Sequence, residues 1–159
     1  MQTQEIDIRK VLEEALEQLK GQDSYLFNVD ANERSLTHKL AEYLQAYMPA
    51  GWNVDCEYNR NQGDTKKLIR KLKEIAGSPR YDDTDATTVF PDIIIHKRGN
   101  NESNLLVIEI KKSTNRDSEG IVDKEKLNAF RQPPFCYQNA VFIKIIVGDC
   151  PDYDISWVQ

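Results

Sequence analysis

A chain of 159 residues can bury one core and is read as a single domain over 1–159. Its 40% hydrophobic and 30% charged content is that of an ordinary globular protein, and its longest apolar runs, such as 105–108, are far too short to cross a bilayer as a helix, so no membrane partner is expected. A formal charge of −5 and a pI near 5.1 exclude a uniformly basic nucleic-acid binder, although a local basic patch remains compatible with them.

The elements follow from periodicity. Residues 5–20 carry Ile8, Val11, Leu12, Ala15, Leu16 and Leu19 at helical spacing, with Gly21 as the expected stop, and form an accessory N-terminal helix over 1–21. A second helix is predicted over 31–47 on the stripe Leu36, Leu40, Tyr43, Leu44 and Tyr47, and Pro49 to Gly51 ends it. Residues 52–60 alternate Trp52, Val54, Cys56 and Tyr58 with polar positions, the pattern of a half-buried strand. Residues 64–76 read as a short basic helix. The surrounding segment 60–80 holds seven Lys/Arg against Asp64 and Glu74, a local charge of +5 that leaves −10 for the rest. Such a rail, with Arg60, Lys66, Lys67, Arg70, Lys71 and Lys73, is the expected nucleic-acid contact; its bland counterpart is a solvated helix face.

Two strands follow, 89–97 and 105–111, joined by a polar loop over 98–104. A helix over 122–131 stops before Pro133-Pro134, and 140–147 is so apolar apart from Lys144 that it is expected to be buried on both faces. A short strand over 154–158 completes the chain. The order α-α-β-(α)-β-β-α-β-β defines an α/β layered domain without repeat or linker. Cys56, Cys136 and Cys150 are widely spaced, odd in number and form no CxxC pair. They are read as reduced thiols in the core of a cytoplasmic protein, and the polar N-terminus argues against a secretory leader.

The chemistry concentrates in the hairpin. Strand side chains alternate, so Phe90, Asp92, Ile94 and His96 share one face, and Leu105, Val107, Glu109 and Lys111 share one face of the next strand. A symmetric turn about Asn100-Asn101 pairs 96 with 105, 94 with 107 and 92 with 109. Asp92 then faces Glu109 with Cβ atoms roughly 5 Å apart. Two like charges so placed repel unless a cation compensates, and hard oxygen ligands at that separation suit Mg²⁺ or Mn²⁺. Lys111 sits two residues on, within reach of a substrate phosphate. An E-x-K triplet alone is commonly a surface ion pair, but carboxylates embedded in such apolar strands are costly unless used. His96 is read as structural and His38 as a surface histidine, and Glu57 is a weaker member of the polar face.

Pro91-Asp92 followed by Glu109-Ile110-Lys111, with the acidic residues 17 positions apart, resembles the PD-(D/E)xK nuclease superfamily. The resemblance covers about 30–148 and includes the order of elements in that family's restriction-endonuclease-like αβββαβ core, a mixed central sheet flanked by helices. It implies Asp92 and Glu109 as metal ligands, with the backbone carbonyl of Ile110 as a third. It implies Lys111 as the cation that positions water and stabilises developing negative charge, two neighbouring carboxylates keeping it charged. Glu33, in the first core helix, matches a carboxylate that often completes the site, in competition with a capping-box role in Asp30-Ala31-Asn32-Glu33. Gln132 and Tyr137 are one residue too far apart for the Q-x-x-x-Y element of some exonuclease branches. The implied activity is Mg²⁺- or Mn²⁺-dependent hydrolysis of phosphodiester bonds, in DNA rather than RNA, by a homodimer or a component of a larger assembly. The alternative is an inactive nuclease-fold module that binds nucleic acid or a protein partner.

Overall fold

The N-terminal helical periodicity resolves into three helices: α1 (Ile8–Gln22), α2 (Ser24–Asn28) and α3 (Glu33–Tyr47). The computed structural model describes residues 5–58 and 90–159, apart from the Asn101 side chain. Asp7 caps α1 by accepting a hydrogen bond from the Lys10 amide, and Leu12, Leu16 and Leu19 are fully buried. The helix runs past Gly21, because the Asp23 amide still closes on the Leu19 carbonyl (2.9 Å) before the chain bends into α2. Its apolar stripe packs on α3, so the accessory helix is an integral part of the core.

Five strands form one sheet among the described residues, in the order β1 (Asn53–Cys56), β2 (Ile93–Lys97), β3 (Asn100–Lys112), β4 (Asn139–Ile146) and β5 (Asp152–Trp157). Neighbours are antiparallel except β3 and β4, which run parallel and are joined across one face by α4 (Ile121–Arg131). The chain is therefore α/β with a mixed sheet flanked by helices. Ile93, Ile95, Leu106, Ile108, Ile110, Val141, Ile143 and Ile145 meet α1 and α3 on one face. Ile94, Val107, Ala140 and Phe142 meet Leu127, Ala129 and Phe130 of α4 on the other. This double burial explains the unbroken apolar runs of the three central strands. No helix among the described residues is long and apolar enough to cross a membrane.

The hairpin differs from the symmetric loop in a defined way. Arg98 and Gly99 alone make the turn, with Gly99 at φ +78, and β3 starts at Asn100. Lys97 pairs with Asn100 and His96 with Asn104, whereas the expected partner of His96 was Leu105. Two register shifts absorb the extra residues, and from Ile95↔Leu106 through Ile93↔Ile108 the pairing is the expected one. Bulges placed between the turn and the apolar stretch protect the register where burial enforces it. Among the described residues, which omit 59, 60 and 89, the strand expected over 52–60 is observed at Asn53–Cys56, and the strand expected over 89–97 is observed at Ile93–Lys97, after Pro91. The basic helix expected over 64–76, with Arg60, Lys66, Lys67, Arg70, Lys71 and Lys73, lies outside the described residues.

The cysteines are exposed rather than in the core. Cys56 ends the edge strand β1, Cys136 occupies a turn at φ 49, and Cys150 lies between β4 and β5. Thiols at these positions leave the sheet with the backbone and contribute little packing.

Gly120 starts α4 at φ +62, and a Cβ there would overlap the Phe142 ring. Gly120→Ala is expected to cost about 1–3 kcal/mol, through backbone strain and displacement of the ring on which α4 rests. Urea unfolding measures it, and an unchanged midpoint would show that α4 does not depend on this close approach.

Candidate functional site

Asp92 precedes β2 by one residue and is half-buried. Its carboxylate Oδ2 accepts a hydrogen bond from the Ile110 amide (2.7 Å), and its carbonyl accepts one from the Glu57 amide (3.2 Å). These bonds tie the start of β2 to β3 and to the end of β1 and bring Asp92 next to Glu109. Glu109 is 1% exposed, on the α4 side of the sheet with Val107 and opposite Phe142 of β4.

Two charged residues of α4 complete this cluster, and sequence reasoning did not single them out for it. Asp123 is 6% exposed and Lys126 is 5% exposed. The Lys126 ammonium lies 2.8 Å from Glu109 Oε1, 3.9 Å from Asp123 Oδ1 and 3.3 Å from the Phe90 carbonyl, to which it donates. Lys111 Nζ lies 3.5 Å from Asp123 Oδ2 and 3.6 Å from Glu33 Oε1. The available signal was spacing: Asp123, Lys126, Leu127 and Phe130 follow the i, i+3, i+4, i+7 rule of a buried stripe, so two charges sit where apolar residues belong.

Glu33 does not form a capping box. Asn32 caps α3, its Oδ1 accepting from the Ser35 amide (2.8 Å), while Asp30 stands outside the helix at φ 50. Freed from capping, the Glu33 carboxylate reaches the end of β3, where Oε2 accepts from the Lys112 amide (3.2 Å) and from Asn115 Nδ2 (3.4 Å). The structure thus brings Asp92, Glu109, Lys111 and Glu33 into one network. It turns Glu57 toward Arg34 (3.4 Å) and pairs His38 with Glu42 at the surface (2.9 Å). His96 is buried against Asp55 (2.7 Å), an ion-pair geometry that Arg98 shares. A cleft of about 320 Å³, at the small end of ligand pockets (~300–1,000 Å³), opens onto Asp92 and Glu33 between α3 and β1. Arg34, Thr37, His38, Cys56 and Glu57 line the rest of it.

The electrostatics are those of carboxylates crowded in a poorly solvated place. Burial pushes the Asp92 pKa above its ordinary value of 3.8, against the Ile110 amide and the nearby lysines. Burial pushes Glu109 well above 4.5; Lys126 opposes the shift, and Asp92 and Asp123 add to it. Burial works against the charge on Lys111, but Asp123, Glu33, Asp92 and Glu109 outweigh it and hold its pKa above 10.5. Lys111 is therefore a cation at neutral pH and cannot serve as a free base.

The four carboxylates Glu33, Asp92, Glu109 and Asp123 meet two ammonium groups, so the fully ionised cluster carries −2. Glu109 Oε1 and Asp123 Oδ2 are buried, and each faces a lysine ammonium, at 2.8 Å from Lys126 and 3.5 Å from Lys111. Among the described residues no three acidic, histidine or cysteine side chains converge on one point as a ready-made metal cage. A pair of carboxylates with a backbone carbonyl fits a hard divalent cation in donor type, and the residual charge fits it in sign.

The raised carboxylates have a consequence for pH. Above their ordinary values, Glu109 and Asp92 hold protons in the folded chain that the unfolded chain has released. Their contribution to stability therefore falls as pH rises through that window and is recovered on acidification toward about pH 5. In EDTA, the wild-type Tm should fall relative to that of Glu109→Gln from about pH 5 to pH 8, because only the wild type must ionise a buried carboxyl at position 109. A difference independent of pH would show that Glu109 titrates normally.

Compared with protein-family models, curated proteins and solved structures, the chain matches none.

Proposed function

We propose that the chain is a metal-dependent nuclease hydrolysing phosphodiester bonds, in DNA rather than RNA, with its site at Asp92, Glu109 and Lys111. The observation that carries this reading is a half-buried aspartate and a fully buried glutamate facing each other, with a charged lysine beside them and a cleft opening onto Asp92. Helix α3, strands β1 to β3, helix α4 and strand β4 run in the order αβββαβ, which supports a restriction-endonuclease-like core.

Asp92 and Glu109, with the Ile110 carbonyl, would hold Mg²⁺ or Mn²⁺, and the bound cation would supply Lewis acidity for water and charge stabilisation at phosphorus. Lys111, kept charged by four carboxylates, orients the water and steadies the phosphate oxygens as negative charge builds. Glu33 fixes the Lys111 ammonium from the α3 side and Asp123 fixes it from the α4 side. The cleft admits the substrate backbone past Arg34 and His38, and the basic residues of the 60–73 sequence contribute salt-dependent affinity for it.

A second reading, an inactive module that binds nucleic acid or a protein partner, is favoured by one feature: Lys126 already supplies a cation to Glu109. Incubation with single- and double-stranded DNA and RNA, in Mg²⁺, Mn²⁺ or EDTA, separates the two. Cleavage abolished by EDTA and by Asp92→Asn supports the nuclease. Binding without cleavage under every cation supports the module. Cleavage that survives both Asp92→Asn and Lys111→Met removes the proposed site.

A further inference from the structure

The cation that β3 and α4 share is a side chain, and its position has the ligand set of a metal. Lys126 Nζ lies between a carboxylate of β3 (Glu109 Oε1, 2.8 Å), a carboxylate of its own helix (Asp123 Oδ1, 3.9 Å) and a backbone carbonyl (Phe90, 3.3 Å). Two carboxylates and a carbonyl are what a hard divalent ion takes, at shorter distances of about 2.0–2.1 Å for Mg²⁺. Asp92 stands at the end of β2, and Asp123 reaches the same glutamate from α4. Glu109 therefore pairs with the Lys126 ammonium while Asp92 and Asp123 bear on it as further carboxylates.

The side chains of Lys126 and Glu109 are 7% and 2% exposed, so this is not a surface ion pair. Burying an ammonium is expensive, and an apolar residue at 126 would extend the neighbouring cluster of Leu127, Ala129 and Phe130 at no such cost. Lys111 approaches the other oxygen of Asp123 (3.5 Å), so it leaves the place between Glu109 and Asp123 to Lys126.

We propose that the Lys126 ammonium takes the place of a second divalent cation, leaving this chain with one exchangeable metal, between Asp92 and Glu109. This rests on the metal-site reading given above. Lys126 is then a positioning residue that holds one oxygen of Glu109 in place while its other oxygen remains for the exchangeable ion.

The test counts Mn²⁺ bound per chain, by equilibrium dialysis and by loss of the free-ion electron paramagnetic resonance signal, on the full-length protein. The wild type should bind one Mn²⁺, lost in Asp92→Asn. Lys126→Met, confirmed folded by circular dichroism, should bind two, and the added site should vanish when Asp123→Asn is combined with it. Lys126→Arg, which keeps the charge, should bind one. Two ions in the wild type overturn the proposal without recourse to any variant. One ion in both the wild type and folded Lys126→Met overturns it and leaves the metal-site reading standing. No ion in either overturns both.

Discussion

Asp92→Asn is expected to bring cleavage to the uncatalysed background and to remove stabilisation by divalent cations, with the fold intact. The substitution is isosteric and keeps an oxygen that can accept from the Ile110 amide, the bond that ties the end of β2 to β3. It removes one of two facing negative charges, and with it the reason for a cation to enter. For the wild type, a cation at a hundred times its Kd adds about 2.7 kcal/mol to stability. Each kcal/mol moves Tm by roughly 2–4 °C in a domain of this size. A shift of that order with Mn²⁺ or Ca²⁺, absent in Asp92→Asn, is the readout. Lys111→Met should differ in kind: cation stabilisation is retained, and kcat falls by about 10²–10³, the effect of deleting one preorganised stabiliser of developing charge. If Lys111→Met lost cation binding as completely as Asp92→Asn, the separation of ligand from charge stabiliser would be wrong.

Strand periodicity made this pair legible in advance. Ile93, Ile94 and Ile95, and 105–108, are buried on both faces, so their register is set by the core. The alternation that follows leaves Asp92 and Glu109 facing each other. The turn was not legible, because residues 100–104 carry no apolar pattern yet continue the strand by backbone pairing, and the bulges that reconcile the two segments have no side-chain signature. The contribution of α4 was hidden for another reason. Charged residues on a helix are read as its wet face, and only the tertiary contact of Lys126 with Glu109 shows that Asp123 and Lys126 lie inside. Glu33 stood between two roles in the sequence. The capping oxygen came from Asn32, and that released Glu33 toward β3.

The largest stability effects should come from breaking the Glu109–Lys126 pair on one side only, and they should be unequal. Glu109→Leu leaves an ammonium in a site where 7% of its side chain is exposed, its closest carboxylate contact removed and Asp123 at 3.9 Å. Removing one partner of a buried pair costs about 3–5 kcal/mol, a large share of the roughly 5–15 kcal/mol that holds a domain together. Lys126→Met should cost less, because Glu109 is already pushed toward its protonated form and can shed the uncompensated charge by taking a proton. The double variant Glu109→Leu/Lys126→Met should be as stable as the wild type or better, by up to about 4 kcal/mol, since matched apolar side chains replace a costly desolvated pair. Urea unfolding of the four proteins at one pH measures the coupling. Additive losses would mean that the two groups are solvated and independent. A double variant that is more stable and inactive would instead show why the pair is there: packing would be better served without it, and what it provides is a carboxyl group held in place beside Asp92.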